Sequence, residues 1–296
     1  MNDNPNLELF QSLWAMEDLP YGSDTPWNLA EQLDRIAEAG FHGAAVDLGA
    51  RGKPEAVTVA PLLRERGLDV AVFAFVRDDA DLDAALRYAD IVGARRMVVC
   101  GCVFDTDPVV LARIVERWHA RCRAAGVDMQ LETHRNTLTN DLRLTTRLLD
   151  ELDPAVRLAI DLSHYVCSNE IPVVTTDEIN GHLAKLFARA ESLQGRIATR
   201  CQVQIPLGFP QHREWEELFQ SWWVRAFAAI RASRAADGSD APVMFCTELG
   251  TVPYALTDGT GGELSDRWHE ALILKDRASE AFSASQTTLA PEGTSR

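Results

Sequence analysis

Eight short runs dominated by apolar residues recur along this chain: "LELFQSLWAM", "GAAVDLG", "DVAVFAFV", "RRMVVCGCVF", "VDMQLETH", "RLAIDLSH", "GRIATRCQVQI" and "APVMFCTELG". Most are apolar on both faces, as strands are when a parallel sheet is covered on each side. Amphipathic segments separate them. "WNLAEQLDRIAEAG" repeats Leu29, Leu33, Ile36 and Ala37 on one face and stops at Gly40, and "DLDAALRYADIVGA" does the same with Leu82, Leu86 and Ala89. Asp107 and Pro108 open another helix that ends at Gly126. This alternation predicts an α/β protein built as a single (β/α)8 TIM barrel over residues 1–282. A doubly wound open sheet is the alternative, but no glycine-rich loop follows the first strand. The polar tail 283–296, "SASQTTLAPEGTSR", has no periodicity and reads as disordered.

Charge narrows the partners. The net charge of −15 repels phosphate backbones and anionic lipid, which argues against nucleic-acid and membrane partners and leaves a small-molecule substrate. No apolar stretch is long enough to span a bilayer, and "MNDNPNLELF" lacks the features of a signal peptide. Cys100, Cys102, Cys122, Cys167, Cys201 and Cys246 form no CxxC pair and read as reduced thiols in a cytoplasmic protein. "FQSWW" reads as core or as a subunit contact, so a homodimer is one expectation. His42, His119, His182 and His269 fall in or beside helical patterns and read as surface or packing residues.

Chemistry in such barrels sits at the C-terminal ends of the strands. The fifth run ends in Glu132 and His134, with Arg135 next; the sixth ends in Asp161 and His164; the eighth ends in Glu248. Each carboxylate follows apolar residues, where an unpaired ion is costly. One reading pairs them with Arg135, Arg157 or Arg200 as structural ion pairs. The other, favoured because three carboxylates converge on one barrel mouth, makes them a site neutralised by a divalent cation, Mn or Mg by the oxygen-rich ligands. Trp14, at the end of the first run, is placed to stack on a sugar face or to be core.

"LETHRNTLTNDLRLT", "AIDLSHYV", "GRIATRCQ", "TELG" and "ELSDRWHEALIL" resemble the xylose isomerase-like TIM-barrel superfamily, and within it the sugar phosphate isomerase/epimerase branch, over about Leu9 to Phe282. The resemblance implies a divalent metal held by Glu132, Asp161, a strand-seven histidine and Glu248, with His164 binding substrate hydroxyls beside it. The histidine is missing. Matching the motifs puts Ala198 in its place and retains Arg200. Read as one strand, "RIATRCQVQI" sends Ala198, Arg200, Gln202 and Gln204 to a single face, so Arg200 and Gln202 are expected in the pocket. Gln202 is then the candidate to replace the lost nitrogen.

Together these point to an enzyme that abstracts a proton next to a carbonyl of a small sugar-like or keto-polyol substrate, by isomerisation, epimerisation or β-elimination. Its acid–base groups are Glu132, His164 and Glu248, with Arg200 stabilising the oxyanion; His134, Arg135, Gln202 and Trp14 bind substrate; and Glu132, Asp161 and Glu248 hold the metal. Two alternatives remain. One is a barrel needing no metal, relying on Arg200 and His164; the other is a catalytically reduced barrel that binds a ligand or serves as a subunit.

Overall fold

The computed structural model describes residues 6–251 and 253–287; the last nine residues of the expected tail, 288–296, lie outside the described residues. Eight parallel strands close into a barrel in sequence order. They are β1 (Leu7–Ser12), β2 (Gly43–Asp47), β3 (Asp69–Val76), β4 (Arg96–Gly101), β5 (Asp128–Glu132), β6 (Arg157–Ile160), β7 (Ala190–Gly195) and β8 (Val243–Thr247). β1 closes the ring on β8, with Phe10 beside Cys246.

Around the barrel run α1 (Leu29–Glu38), α2 (Ala56–Glu65), α3 (Asp79–Val92), α4 (Pro108–Ala124), α5 (Leu142–Glu151), α6 (Leu162–Ser168), α7 (Asp177–Ala188), α8 (Arg213–Asp237) and α9 (Arg267–Thr287). Local chemistry sets their ends. Asn28 and Glu31 form a reciprocal capping box on α1, and the Asp107 carboxylate caps α4 ahead of Pro108. α3 ends on Gly93 at φ 78°, a left-handed geometry suited to glycine. No helix of the described residues is long and apolar enough to cross a membrane. α9 reaches Thr287, so its last turn includes residues 283–287 of the segment expected to be tail.

Two apolar layers hold the molecule together. Between strands and helices lies the large core, which takes in Trp118, Trp222 and Trp223, so the "WW" pair is interior packing. Inside the ring a smaller cluster of Phe10, Ala45, Ala71, Phe73, Val98, Ala159, Met244 and Cys246 fills the barrel. Those inward positions alternate along each strand and fix which residues emerge at the top.

Seven strands fall within the runs seen in the sequence; the seventh does not. β7 is "AESLQG", just ahead of the expected run, while "RIATRCQVQI" lies beyond the strand. Its inward residues are polar: the Ser192 hydroxyl donates to the Gln130 side chain of β5, while the Gln194 amide makes no hydrogen bond among the described residues. α7 runs almost directly into it, with Arg189 the one residue between. The chain after Gly195 folds into a tight turn in which Thr199 and Gln202 exchange backbone hydrogen bonds of 2.9 and 3.2 Å.

Candidate active site

Register determines what each strand presents at the barrel mouth. β7 and β8 pair Gln194 with Cys246, and Cys246 faces the interior. One step of two residues further, Arg196 and Glu248 leave the ends of the same two strands on the same side. By the same alternation Asp47 emerges from β2, Phe73 and Phe75 from β3, Cys100 from β4, Glu132 from β5 and Asp161 after β6.

Arg196 is the centre of this arrangement. Its guanidinium is buried, 3% exposed. Nε donates to Asp161 Oδ2 and to the Ser163 hydroxyl, each at 3.0 Å. Nη2 donates to Asp161 Oδ2 at 2.5 Å and to Glu248 Oε2 at 3.2 Å. Burial works against its charge, but Asp161 and Glu248 outweigh it and hold the guanidinium charged. Asp161 is fully buried and spends its other oxygen on the Ser163 amide at 2.8 Å and hydroxyl at 2.5 Å, which also caps α6.

The other carboxylates have fewer positive neighbours. Burial raises Glu248 well above the ordinary carboxylate range, against the pull of Arg196. Burial also raises Glu132, opposed by the Cys100 thiol, which donates to its Oε2 at 2.8 Å. Asp47 is pushed up to about 6 by burial, opposed by the Gly49 amide that donates to it at 2.7 Å.

The loop after β5 is a hydroxyl scaffold. Thr133 bonds both ways across to the Asp161 backbone at 2.9 and 3.0 Å, and Thr139 donates to the Glu132 carbonyl at 2.6 Å while accepting from the His134 amide at 3.0 Å. This holds two imidazoles side by side, ring centroids 3.9 Å apart. His134 Nδ1 lies 2.5 Å from the Arg135 carbonyl; a carbonyl only accepts, so Nδ1 carries the proton and Nε2 the lone pair. Burial, aided by the Arg196 charge, lowers His134 to about 4. His164 lies between two guanidinia, with Arg135 2.8 Å from Nδ1 and Arg196 2.9 Å from Nε2. Burial and both arginine charges hold it neutral.

These groups floor a cavity of about 330 Å3 lined by Glu132, His134, Arg196 and Glu248 together with Asp47, Cys100 and a set of aromatic rings. Trp14 is one of those rings, edge-on to Tyr254 at 5.8 Å, with Phe73 and Phe75 opposite. A Cβ on Gly250 would lie 2.0 Å from the Trp14 ring, so glycine there lets the indole take its place. Glu17 and Arg51 sit at the rim.

The sequence-based expectations sort accordingly. Glu132, His134, Glu248 and Trp14 line the cavity; Asp161 and His164 lie behind it, bonded to Arg196; Arg135 reaches His164 and the Tyr254 hydroxyl (2.9 Å) without lining it. Arg200 and Gln202 are corrected. Arg200 sits at the tip of the tight turn, its side chain 48% exposed and paired with Glu170 at 3.2 Å, and Gln202 is on the far leg of that turn, outside the cavity lining. Gln204 is spent bridging to the Gly250 backbone. Ala198 is buried but lies past the strand, so it is not the strand-seven position. Arg196, Asp47, Cys100 and Tyr254 were missed. Asp47 carried the same signal as Asp161, a carboxylate closing an apolar run; Tyr254, in a connecting segment, carried none.

No family model and no curated protein matches the chain. Solved structures do. An L-ribulose 3-epimerase superposes with a TM-score of 0.59 at 13% identity, covering 97% of this chain and 99% of that one. The chain has the xylose isomerase-like TIM-barrel fold. A Mycobacterium smegmatis protein described by that fold, in complex with magnesium, gives 0.54 at 14% identity over 93% and 98% of the two chains. The probable 3-DHS dehydratase AsbF from Bacillus anthracis gives 0.52 at 13% over 94% and 99%.

That fold raises the question of a metal, and the donors give an answer. Glu132, His134 and His164 lie close enough for a candidate ligand group, their ligand atoms within 4.8 Å of one another. Whichever nitrogen of His164 carries the lone pair has a guanidinium N–H against it, which leaves Glu132 and His134 Nε2. The expected set of Glu132, Asp161 and Glu248 fares no better, because Arg196 is bonded to two of the three. Neither set fits a divalent ion as arranged.

Proposed function

We propose that this xylose isomerase-like barrel is an enzyme that moves a proton on a carbon next to a carbonyl, in a small sugar-like or keto-polyol substrate. The observation that carries this reading is the convergence of two buried carboxylic groups, Glu132 and Glu248, with the guanidinium of Arg196 on one cavity. A carboxylate is the base such chemistry needs, and a fixed cation is what stabilises the oxyanion it produces.

In this scheme the Glu132 carboxylate takes the proton from the carbon bearing a hydroxyl. The C–H electron pair becomes the enediolate double bond, and the carbonyl π pair moves to oxygen beside Arg196. Return of the proton to the neighbouring carbon, with the hydroxyl proton passing to the former carbonyl oxygen so that the hydroxyl carbon becomes the new carbonyl, gives an isomer. Delivery to the opposite face of the first carbon, from Glu248, as the oxyanion collapses back to the carbonyl, gives an epimer. Departure of a β-hydroxyl with a proton, as water, gives a dehydrated product. His134, neutral with its Nε2 lone pair free, accepts a hydrogen bond from a substrate hydroxyl. Trp14, Phe73, Phe75 and Tyr254 give apolar faces for the C–H edges of such a molecule, and their rings limit water in the cavity.

The neighbours in structure support the range of outcomes, since two named reactions, epimerisation and dehydration, occur among them. The test is a panel of ketoses and cyclic keto-polyols incubated in deuterium oxide and read by proton NMR. Exchange of one carbon-bound proton is expected with the wild type and not with Glu132→Gln, whose circular dichroism should be unchanged. Equal exchange by both proteins would sink the role given to Glu132. No exchange of any panel member would favour the ligand-binding barrel instead.

A further inference from the structure

We propose that Arg196 is the resident cation of this site, taking the place that a divalent metal would hold, and that the barrel binds no such metal there. This rests on the reading of the cavity as a proton-transfer centre, and it adds that the cation already named there stands in for a metal.

Three observations carry it. Arg196 is held by four donor contacts to three side chains, Asp161, Ser163 and Glu248, and its 2.9 Å approach to His164 closes a fifth side. A side chain gripped on that many sides has one geometry, as a catalytic electrophile requires. Next, the contacts use only Nε and Nη2. Nη1 makes no hydrogen bond among the described residues and is not fully enclosed, while the residue lines the cavity. Two N–H groups of a buried cation therefore remain for an oxygen of the substrate. Finally, carboxylate oxygens that a metal would need are already engaged. Asp161 Oδ1 is used by Ser163, its Oδ2 by Arg196, and Glu248 Oε2 by the same guanidinium. A divalent ion would have to displace a guanidinium from a site that excludes water, or sit beside it and meet its repulsion. The missing strand-seven histidine fits this account, since the strand ends one residue before the arginine that occupies the mouth.

The experiment reads metal binding without substrate. Chelator-stripped wild type, Arg196→Ala and Arg196→Lys are titrated with Mn2+ and followed by electron paramagnetic resonance of the free ion, with calorimetry alongside. Wild type and Arg196→Lys should leave the ion free at about 1 mM, whereas Arg196→Ala, with Asp161 and Glu248 released, should gain at least about tenfold in affinity, on the order of 1.4 kcal/mol. One Mn2+ bound by wild type below about 100 µM, and lost in Asp161→Asn, would overturn the proposal. If Arg196→Ala does not fold, the wild-type titration alone decides. The proton-exchange panel is scored separately. Absent exchange with no metal bound removes the enzymatic reading and leaves the cation assignment, while exchange together with tight Mn2+ binding removes the cation assignment alone.

Discussion

Arg196→Leu is the perturbation that discriminates most sharply, because it keeps an apolar side chain and removes the guanidinium with its charge and its hydrogen bonds. The wild type buries Arg196 at 3%, Asp161 at 0% and Glu248 at 3% exposure, so the replacement leaves two carboxyl groups in a water-poor site without their cation. Removing one partner of a buried ion pair costs about 3–5 kcal/mol. Against the 5–15 kcal/mol typical of whole domains, that is about a fifth at the least. Asp161 keeps the Ser163 amide and hydroxyl, which points to the lower half of the range. Urea unfolding at neutral pH in the presence of chelator, read as midpoint and slope, measures it. The same reasoning makes a second demand. Asp161→Asn and Glu248→Gln, added to Arg196→Leu, remove the stranded charges and should recover about half the loss or more, a coupling that only neighbours in one network show. A single variant within 1 kcal/mol of wild type would refute the reasoning, as would a triple variant no more stable than Arg196→Leu. Either would mean that the arginine is not balancing those carboxylates.

Asp47→Asn should stabilise the protein above pH 6. The folded carboxyl is raised from 3.8 to about 6, so the folded state holds the proton more tightly and wild-type stability falls as pH rises between those values. At 1.36 kcal/mol per unit the ceiling is about 3 kcal/mol, and 1–2 is expected because the group is only partly enclosed; stability curves of the two proteins that stay parallel from pH 4 to 7 would contradict this. Arg200→Ala should change turnover and unfolding midpoint very little, within about 0.5 kcal/mol, since its pair with Glu170 is exposed; a tenfold loss of exchange would return it to the site. Gly250→Ala should cost about 1–3 kcal/mol and shift the Trp14 emission, because the new methyl meets the indole at 2.0 Å; unchanged fluorescence and stability would show that the ring is free to move.

The barrel was legible because a parallel strand covered on both sides tends to be apolar on both sides, and most of the strands follow that rule. The carboxylates were legible for the complementary reason, that an acid after such a run needs a partner. β7 escaped both signals. Its inward residues Ser192 and Gln194 are polar, as is Arg196 just past its end, and the Gln130 amide oxygen that receives Ser192 and the carboxylates that receive Arg196 come from other strands or their ends, at sequence separations that no local pattern reveals. The strand was sought in the stretch after it, and Arg200 was placed where Arg196 belongs. The same displacement explains the vacancy left by the strand-seven histidine. Ala198 marks a gap only if the strand extends that far; once it ends at Gly195, the position at its mouth holds a guanidinium already bonded to the aspartate and glutamate of the expected metal set. The missing ligand and the misplaced arginine are then one fact, because a side chain that carries its own positive charge into the barrel takes up carboxylate oxygens that a metal would use.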